Sequence, residues 1–414
     1  MVSGSVRWLE ARMEDEIGRG VSQSNIRDVI YGCYAIYLHG GDLKPLMFLV
    51  DALTRNYSLW IYLSLDLPLK DPQAILHLYE LLQDVGPEHA RRLSSIGDDI
   101  SNLMLPDGRF PGIHEKTLYL VLKLYGLEDV RFKPAIKYFR NRILKEGIQD
   151  LEEKIWVLKA SSMFEDLKIF RLETACGIIE GQSSGLWSED LNLNVDVVDG
   201  LVEAGISLKH PSIRNCLKWI MERKLENNSW ENSILLTSKV LILYRKTQLP
   251  PTTQRVRVLT PSTTPSITDY VLNTILNTGS SLTIENPPLN NEFKNIIKTL
   301  RRMGVEVRVL LDPLFMDVNP SMEEDIKYLK EIGVNVRFSE YAKTSLVITD
   351  GEKLLLIPSI PKEDMLKEGV IGIAVEDPKD VENAEREFLK VWEKAKEELT
   401  IPDWIKRART LKNS

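Results

Sequence analysis

The stretch EYAKTSLVITDGEKLLLIPS, residues 340–359, sets Tyr341, Lys343 and Ser345 two positions apart. Side chains alternate between the two faces of a β-strand, so residues i and i+2 share a face. Tyr341 with Lys343, or Lys343 with Ser345, would therefore place a hydroxyl beside an ammonium near a strand end. Such a pair could hold a phosphate or sulfate. A tyrosine or a lysine can also attack phosphorus, but each needs an activating neighbour. The sequence displays none: all five histidines, His39, His77, His89, His114 and His210, precede residue 250.

Other residues with chemistry are fewer. Asp196 and Asp199 in NVDVVDG stand three apart on a helical pattern. The pair reads as a solvated face or as helix-start charges favoured by the dipole. His210 and Cys216 are the nearest metal-ligand pair, and they lack a positioned carboxylate. His210 reads as a helix-entry residue before Pro211. No metal and no cofactor is expected. Cys33, Cys176 and Cys216 lie far apart without C-x-x-C spacing, which argues against a disulfide framework.

At 414 residues the chain calls for two or three domains. It is 43% hydrophobic and 27% charged, and no apolar run approaches the ~20 residues that cross a bilayer. The first residues, MVSGSVRWLEARMEDEIG, lack the apolar centre of a signal peptide, so the protein is expected to be cytoplasmic. A net charge of −7 repels phosphate at long range, and nucleic-acid binding would need a local basic patch. Abundant charge with little Cys or His is compatible with a thermophilic source.

These residues must be held by two kinds of element. From residue 1 to 245 the apolar pattern has a helical period, broken every 10–16 residues or so by Gly, Pro or Asp, for about twelve or thirteen helices. Clear examples are 26–40, 114–126, 133–147, 195–205 and 211–225. An internal repeat is visible within them. Gly108-x-Phe110 and Gly185-x-Trp187 each precede an apolar helix that ends in Gly126 or Gly205, and Pro134 or Pro211 opens a second helix. A third start falls at Trp230, and room remains for a degenerate unit near Gly147. The aromatics at these starts read as core anchors.

The Gly-x-Trp start, small-residue outer helix and proline-opened inner helix resemble the α/α toroid of terpenoid cyclases and protein prenyltransferases. The resemblance implies about six hairpins over residues 5–245. Their catalytic acids and zinc ligands are not recoverable here. A central hollow would imply binding, including an isoprenoid or other apolar ligand.

Residues 246–254, within RKTQLPPTTQ, read as a linker between the helical domain (1–245) and an α/β domain (255–398). There the period changes. We expect strands at 255–260, 281–287, 305–313 and 334–340, a hairpin through 344–358, and a strand at 370–377. Helices are expected at 266–277, 291–303, 321–332 and 378–398.

The order RRMGVEVRVLLD, LKEIGVNVRF, AKTSLVITDG, then IGIAVEDPKDVENAEREFLKVWEKA resembles one half of the phospholipase D superfamily, over about 255–396. That family uses a strand histidine as nucleophile and a second, from a facing half, as acid. If Lys343 is the motif lysine, Tyr341 takes the histidine's place. If Asp350 is the motif aspartate, Lys343 does, with Ser345 as the lysine. The family geometry would bring Asp350 and Ser359 close to them. With the histidine absent, the resemblance implies a degenerate module kept for binding, as in archaeal sugar-responsive regulators. The expected function is thus a non-catalytic binding or scaffold protein, alone or as a homodimer through this domain, with an anionic ligand or protein partner. The enzyme alternative is a dimeric phosphodiesterase or nuclease with a substituted nucleophile. The tail 399–414, which ends in IKRARTLKNS, is basic and reads as a solvated helix end that leaves nucleic acid open.

Overall fold

The structure is a computed structural model. It describes residues 2–145, 148–248, 256–260, 263, 265–313, 322–342, 344–357 and 372–398. The tail 399–414 and the region near Gly147 therefore lie outside the described residues, as does most of 246–254. The chain is α in its first part and α/β in its second. It divides into two compact units. One comprises Met1–Thr174, Gly181–Ala204 and Asn215–Leu249; the other comprises Ala175–Glu180, Gly205–Arg214 and Pro250–Ser414. Among the described residues no helix is long and apolar enough to cross a membrane.

Fifteen α-helices are described up to Thr247, several of only one or two turns. The last, Ile234–Thr247, runs two residues past the expected end of the domain. Six of them form a closed circuit: Ile26–Leu38, Pro72–Val85, His114–Tyr125, Leu151–Ser161, Leu191–Glu203 and Ile234–Thr247. Each packs on the next, and the last packs on the first. Side-chain caps fix where most of these helices begin. Asp71 accepts from Ala74 N, Asp150 from Glu153 N, Asp190 from Asn192 N and Leu193 N, and Ser233 from Leu236 N. Each satisfies amides that the first helical turn leaves without a partner.

The repeat seen in the sequence is a repeat in hydrogen bonding. The backbone N–H of Phe110 donates to His114 Nδ1 (3.1 Å), that of Trp187 to Asn194 Oδ1 (3.1 Å), and that of Trp230 to Thr237 Oγ1 (3.0 Å). Phe110 and Trp230 are fully buried anchors, whereas Trp187 is only partly buried. Gly108 and Gly126 sit at φ +90° and +79°, and a Cβ on Gly108 would lie 2.5 Å from the Pro134 carbonyl oxygen. Glycine is required there on both counts.

In the second unit seven strands are described: β1 (Val256–Leu259), β2 (Ser281–Glu285), β3 (Glu306–Leu311), β4 (Asn335–Phe338), β5 (Ser345–Thr349), β6 (Lys353–Ile357) and β7 (Gly372–Val375). Their order is β1-β7-β6-β5-β2-β3-β4. β2, β3 and β4 run parallel, joined through helices Asn291–Arg302 and Met322–Glu331, while the remaining pairings are antiparallel. Each expected strand and helix of this region is present to within four residues at either end. Helix Pro378–Lys394 lays Val381, Phe388 and Trp392 against Leu346, Ile348, Leu354 and Val375 of the sheet. Its apolar face is the Phe-x-x-x-Trp spacing of the sequence.

Candidate functional site

The hairpin β5–β6 turns at Asp350 and Gly351, both at positive φ (+55° and +65°), as a tight Asp-Gly turn demands. From there the Asp350 carboxylate accepts from Gly279 N (2.9 Å), Ser280 N (2.7 Å), Ser281 N (3.0 Å) and Ser280 Oγ (2.9 Å). Lys209 Nζ donates to its carbonyl at 2.7 Å. The side chain is engaged in tying the turn to the start of β2.

Ser345 opens the other end of β5. It is buried, with Oγ 3.5 Å from the Asn286 carbonyl oxygen. Five residues of extended chain span about 16 Å, so β5 holds Ser345 and Asp350 apart. Tyr341 precedes the strand and is 76% exposed, its backbone N–H donating to Ser339 Oγ. Lys343 and Ser359 lie outside the described residues. Between Tyr341 and Ser345, Thr344 Oγ1 donates to Glu285 Oε2 at 2.5 Å, and burial raises the Glu285 pKa. Asn286 donates to the carbonyls of Ala342 and Thr344 and accepts from Asp312 N. Polar groups at this end of the sheet bond mainly to one another.

The helical unit holds the denser constellation, and it corrects the reading of Asp199 as part of a solvated face, while Asp196 stays partly exposed. Asp199 is buried because its helix, Leu191–Glu203, turns that face into the circuit. Lys159 Nζ donates to Asp199 Oδ2 (2.6 Å) and to Gln73 Oε1 (2.7 Å). Lys246 Nζ donates to Asp199 Oδ1 (2.5 Å), and Lys239 Nζ to Asp196 (2.8 Å) and Asn192 (2.9 Å). Glu203 accepts from Tyr119 Oη and pairs with Lys123 at 3.0 Å. Tyr34 Oη donates to Glu80. These side chains come from all six helices of the circuit.

Electrostatics follow from that enclosure. Burial alone would raise the Asp199 pKa, but the ammonium groups of Lys159 and Lys246 outweigh it and hold the carboxylate well below its usual range. Burial likewise opposes the charge on Lys159, and Asp199 and Glu203 more than restore it. His77 has no such anion in contact. Burial, reinforced by Lys246, pushes its pKa well below the histidine range, so it is neutral at pH 7. Its ring stacks on Tyr34 (4.1 Å) and meets the edge of Tyr31 (5.2 Å).

Tyr31, Gln73, His77, Asp196, Asp199 and Lys239 line a cavity of about 20 Å³, with Val195 and Ile242 completing the wall. Its polar lining and its size do not suit an isoprenoid. A signal for the cluster was present in the sequence: Asp196, Asp199 and Glu203 stand at i, i+3 and i+7 of one helix, and Lys239 and Lys246 at i and i+7 of another. Both are single helix faces of one charge sign. His210 is a helix-entry residue, as expected: its Nδ1 accepts from Ser212 N, while Nε2 donates to the Met303 carbonyl at 2.8 Å. Among the described residues no group of three or more His, Cys, Asp or Glu is placed to hold a metal ion.

No protein-family profile and no curated protein sequence matches this chain. Solved structures similar to parts of it include the following two. One is TrmBL2, an archaeal chromatin protein described as binding DNA in a novel mode, at 19% identity and a TM-score of 0.29, covering 36% of this chain. The chain spans 56% of the length of that protein. The other is Nuc from Salmonella typhimurium, a phospholipase D family member, at 17% identity and a TM-score of 0.30, covering 34% of this chain and 95% of its own.

Proposed function

We propose that the protein is a non-catalytic binding protein. In this reading the helical circuit is an α/α toroid, and the α/β unit is a phospholipase-D-like half-domain that no longer hydrolyses phosphodiesters. The observation that carries the reading is the charged cluster around Lys159 and Asp199, enclosed by six helices. Replacing a buried ion pair by apolar residues of similar size is commonly neutral or stabilising, so a fold has little structural reason to keep several at its centre. Clusters of this kind mark functional sites. In the α/β unit, the commitment of Asp350 to the loop Gly279–Ser281 and the burial of Ser345 speak against cleavage of a phosphodiester by these two residues.

The test is turnover. Purified protein, with and without divalent metal, should leave bis-p-nitrophenyl phosphate, phosphatidylcholine and single-stranded DNA intact. Hydrolysis that disappears in Tyr341→Phe or Asp199→Asn would overturn the reading. Pairing of two copies through the α/β unit belongs to the same proposal, since a two-fold contact is the simplest way to cover a half-domain face. Light scattering at micromolar concentration should give twice the chain mass, and a monomer mass would remove the dimer.

A further inference from the structure

The helix Lys44–Arg55 turns Leu46, Leu49 and Leu53, at i, i+3 and i+7, into the helical core. Lys44, Met47, Phe48, Asp51 and Arg55 fall on the opposite side, where Met47 and Phe48 are 58% and 57% exposed. The helix packs on the next one, Tyr57–Ile61, which runs on through a π-helical turn, Tyr62–Asp66. Tyr57, Ile61 and Leu65 of that segment are exposed as well. Together the five apolar side chains leave on the order of 500 Å² uncovered. That is at the upper end of what a monomer leaves open, and such surfaces mark interaction sites. A stable contact between two proteins takes about 800 Å² from each, a polar rim supplying the remainder.

The rim here is charged in a definite order. Asp42 and Lys44 precede Phe48, and Asp51 and Arg55 follow it, all with well-exposed side chains. The signs therefore run minus, plus, then minus, plus, with Phe48 between the two pairs. Two copies of the helix laid antiparallel about Phe48 would bring Lys44 beside the partner's Asp51, and Arg55 beside the partner's Asp42. Symmetry repeats each pairing. Laid parallel, like charges would meet at every one of these positions. Within one chain Arg55 already lies 2.8 Å from Asp51, and Lys44 3.8 Å from Asp42, so the antiparallel contact joins existing pairs into one network. A lipid surface fits less well. Helices that lie on membranes carry Lys and Arg beside the apolar face, whereas here Asp51 and Asp66 stand exposed among the apolar groups.

We infer that a second copy of this chain covers this face, its helix Lys44–Arg55 antiparallel to the first about Phe48. Met47 and Phe48 of both copies form the dry centre, and Tyr57, Ile61 and Leu65 extend the apolar area. The Lys44–Asp51 pairs fix the register, because a shifted or parallel arrangement sets like charges together. This contact lies wholly in the helical unit and is separate from the pairing proposed for the α/β unit.

The experiment is crosslinking of the full chain at micromolar concentration. All three native cysteines are buried, so Phe48→Cys supplies an accessible thiol at the centre of the contact. A short bismaleimide should convert this variant to a covalent dimer, and should leave Leu144→Cys, on an exposed site of another helix, monomeric. Adding Asp51→Lys to Phe48→Cys should lower the yield about tenfold, since lysine then meets lysine twice. Adding Lys44→Asp as well should restore it, because the swapped charges pair again across the two-fold axis. These positions are exposed, so the variants keep their fold. A yield from Phe48→Cys no higher than from Leu144→Cys would overturn the inference, as would a yield that ignores Asp51→Lys or fails to recover in the swapped variant. Sedimentation of the native chain with phosphatidylcholine–phosphatidylglycerol vesicles, lost in Phe48→Asp, would assign the face to lipid and overturn it too. The crosslink reports this contact whatever the total mass in solution, and none of these readouts involves turnover, which is what would defeat the non-catalytic reading.

Discussion

Lys159 Nζ lies 2.6 Å from Asp199 Oδ2, with only 3% of the lysine side chain and 11% of the aspartate exposed. Two helices of the circuit, Leu151–Ser161 and Leu191–Glu203, are joined through this contact. Breaking it from one side strands a charge in a place that water barely reaches.

Lys159→Met or Asp199→Leu should therefore each destabilise the protein by about 3–5 kcal/mol. The double variant should lose clearly less than the sum of the two, because neither charge is then left alone beside the other. Lys246 keeps the recovery incomplete, since it loses Asp199 as well. Urea denaturation of the four proteins measures the cycle. Additive losses would show that the pair is not coupled.

Stability should fall as the solution is acidified through the histidine range. Burial lowers the pKa of His114 to about 4 and pushes His77 and His210 down as well. The unfolded chain takes up these protons near pH 6.5 while the folded chain does not, so acid favours unfolding. The contribution is fully present above about pH 6.5 and is lost as pH falls toward the folded value. For His114 alone the loss between pH 6.5 and 4 is about 3 kcal/mol. Asp199 is held low instead, so its contribution persists until the pH drops below the ordinary carboxylate range. Denaturation midpoints at pH 7.5, 6 and 5 should decline in order, and His114→Asn, although weaker at pH 7.5, should decline less.

Asp350→Ala should cost roughly 2–3 kcal/mol, since three amide donors and the Ser280 hydroxyl lose a charged acceptor together. Hydrogen exchange should quicken at residues 279–281 before it does elsewhere in the sheet. Unchanged exchange in that loop would remove the structural role assigned to the aspartate.

Gly108→Ala and Gly126→Ala separate two reasons for glycine. Both positions carry positive φ, but only Gly108 has the Pro134 carbonyl against the space a Cβ would fill. Gly126→Ala should cost about 1–3 kcal/mol from backbone strain, and Gly108→Ala distinctly more. Thermal unfolding decides this, and equal losses would mean that the contact relaxes freely.

The α/β unit was legible because its strands are short β-branched runs set off by glycine-ended helices, and GVEVRVLL carries its period on its face. The helical repeat was legible for a similar reason, since Gly108 and Gly126 mark backbone that other residues avoid. The charged cluster was not. Asp196, Asp199 and Glu203 would form the same stripe on a helix facing water, and only contacts between residues far apart in sequence turn that stripe inward. In the phosphate-type motif, spacing suggested a shared strand face for Tyr341 with Lys343 or for Lys343 with Ser345, but β5 begins only at Ser345 and Tyr341 precedes it. The spacing carried no information about Asp350, whose partners at Gly279–Ser281 lie some 70 residues upstream.

The seam where helix Ile234–Thr247 meets helix Ile26–Leu38 is held in part by His39, whose Nε2 donates to the Leu241 carbonyl across 202 residues of chain. A ribosome making this protein releases the first five helices of the circuit before the sixth. Until it arrives, Asp199 lacks Lys246, Asp196 lacks Lys239, and the circuit of helices stays open along one side. Water can solvate the unmatched carboxylates during that interval, so the open five-helix arrangement tolerates them. The final helix then acts as a keystone: its arrival closes the circuit and brings Lys239 and Lys246 to the two aspartates in the same step.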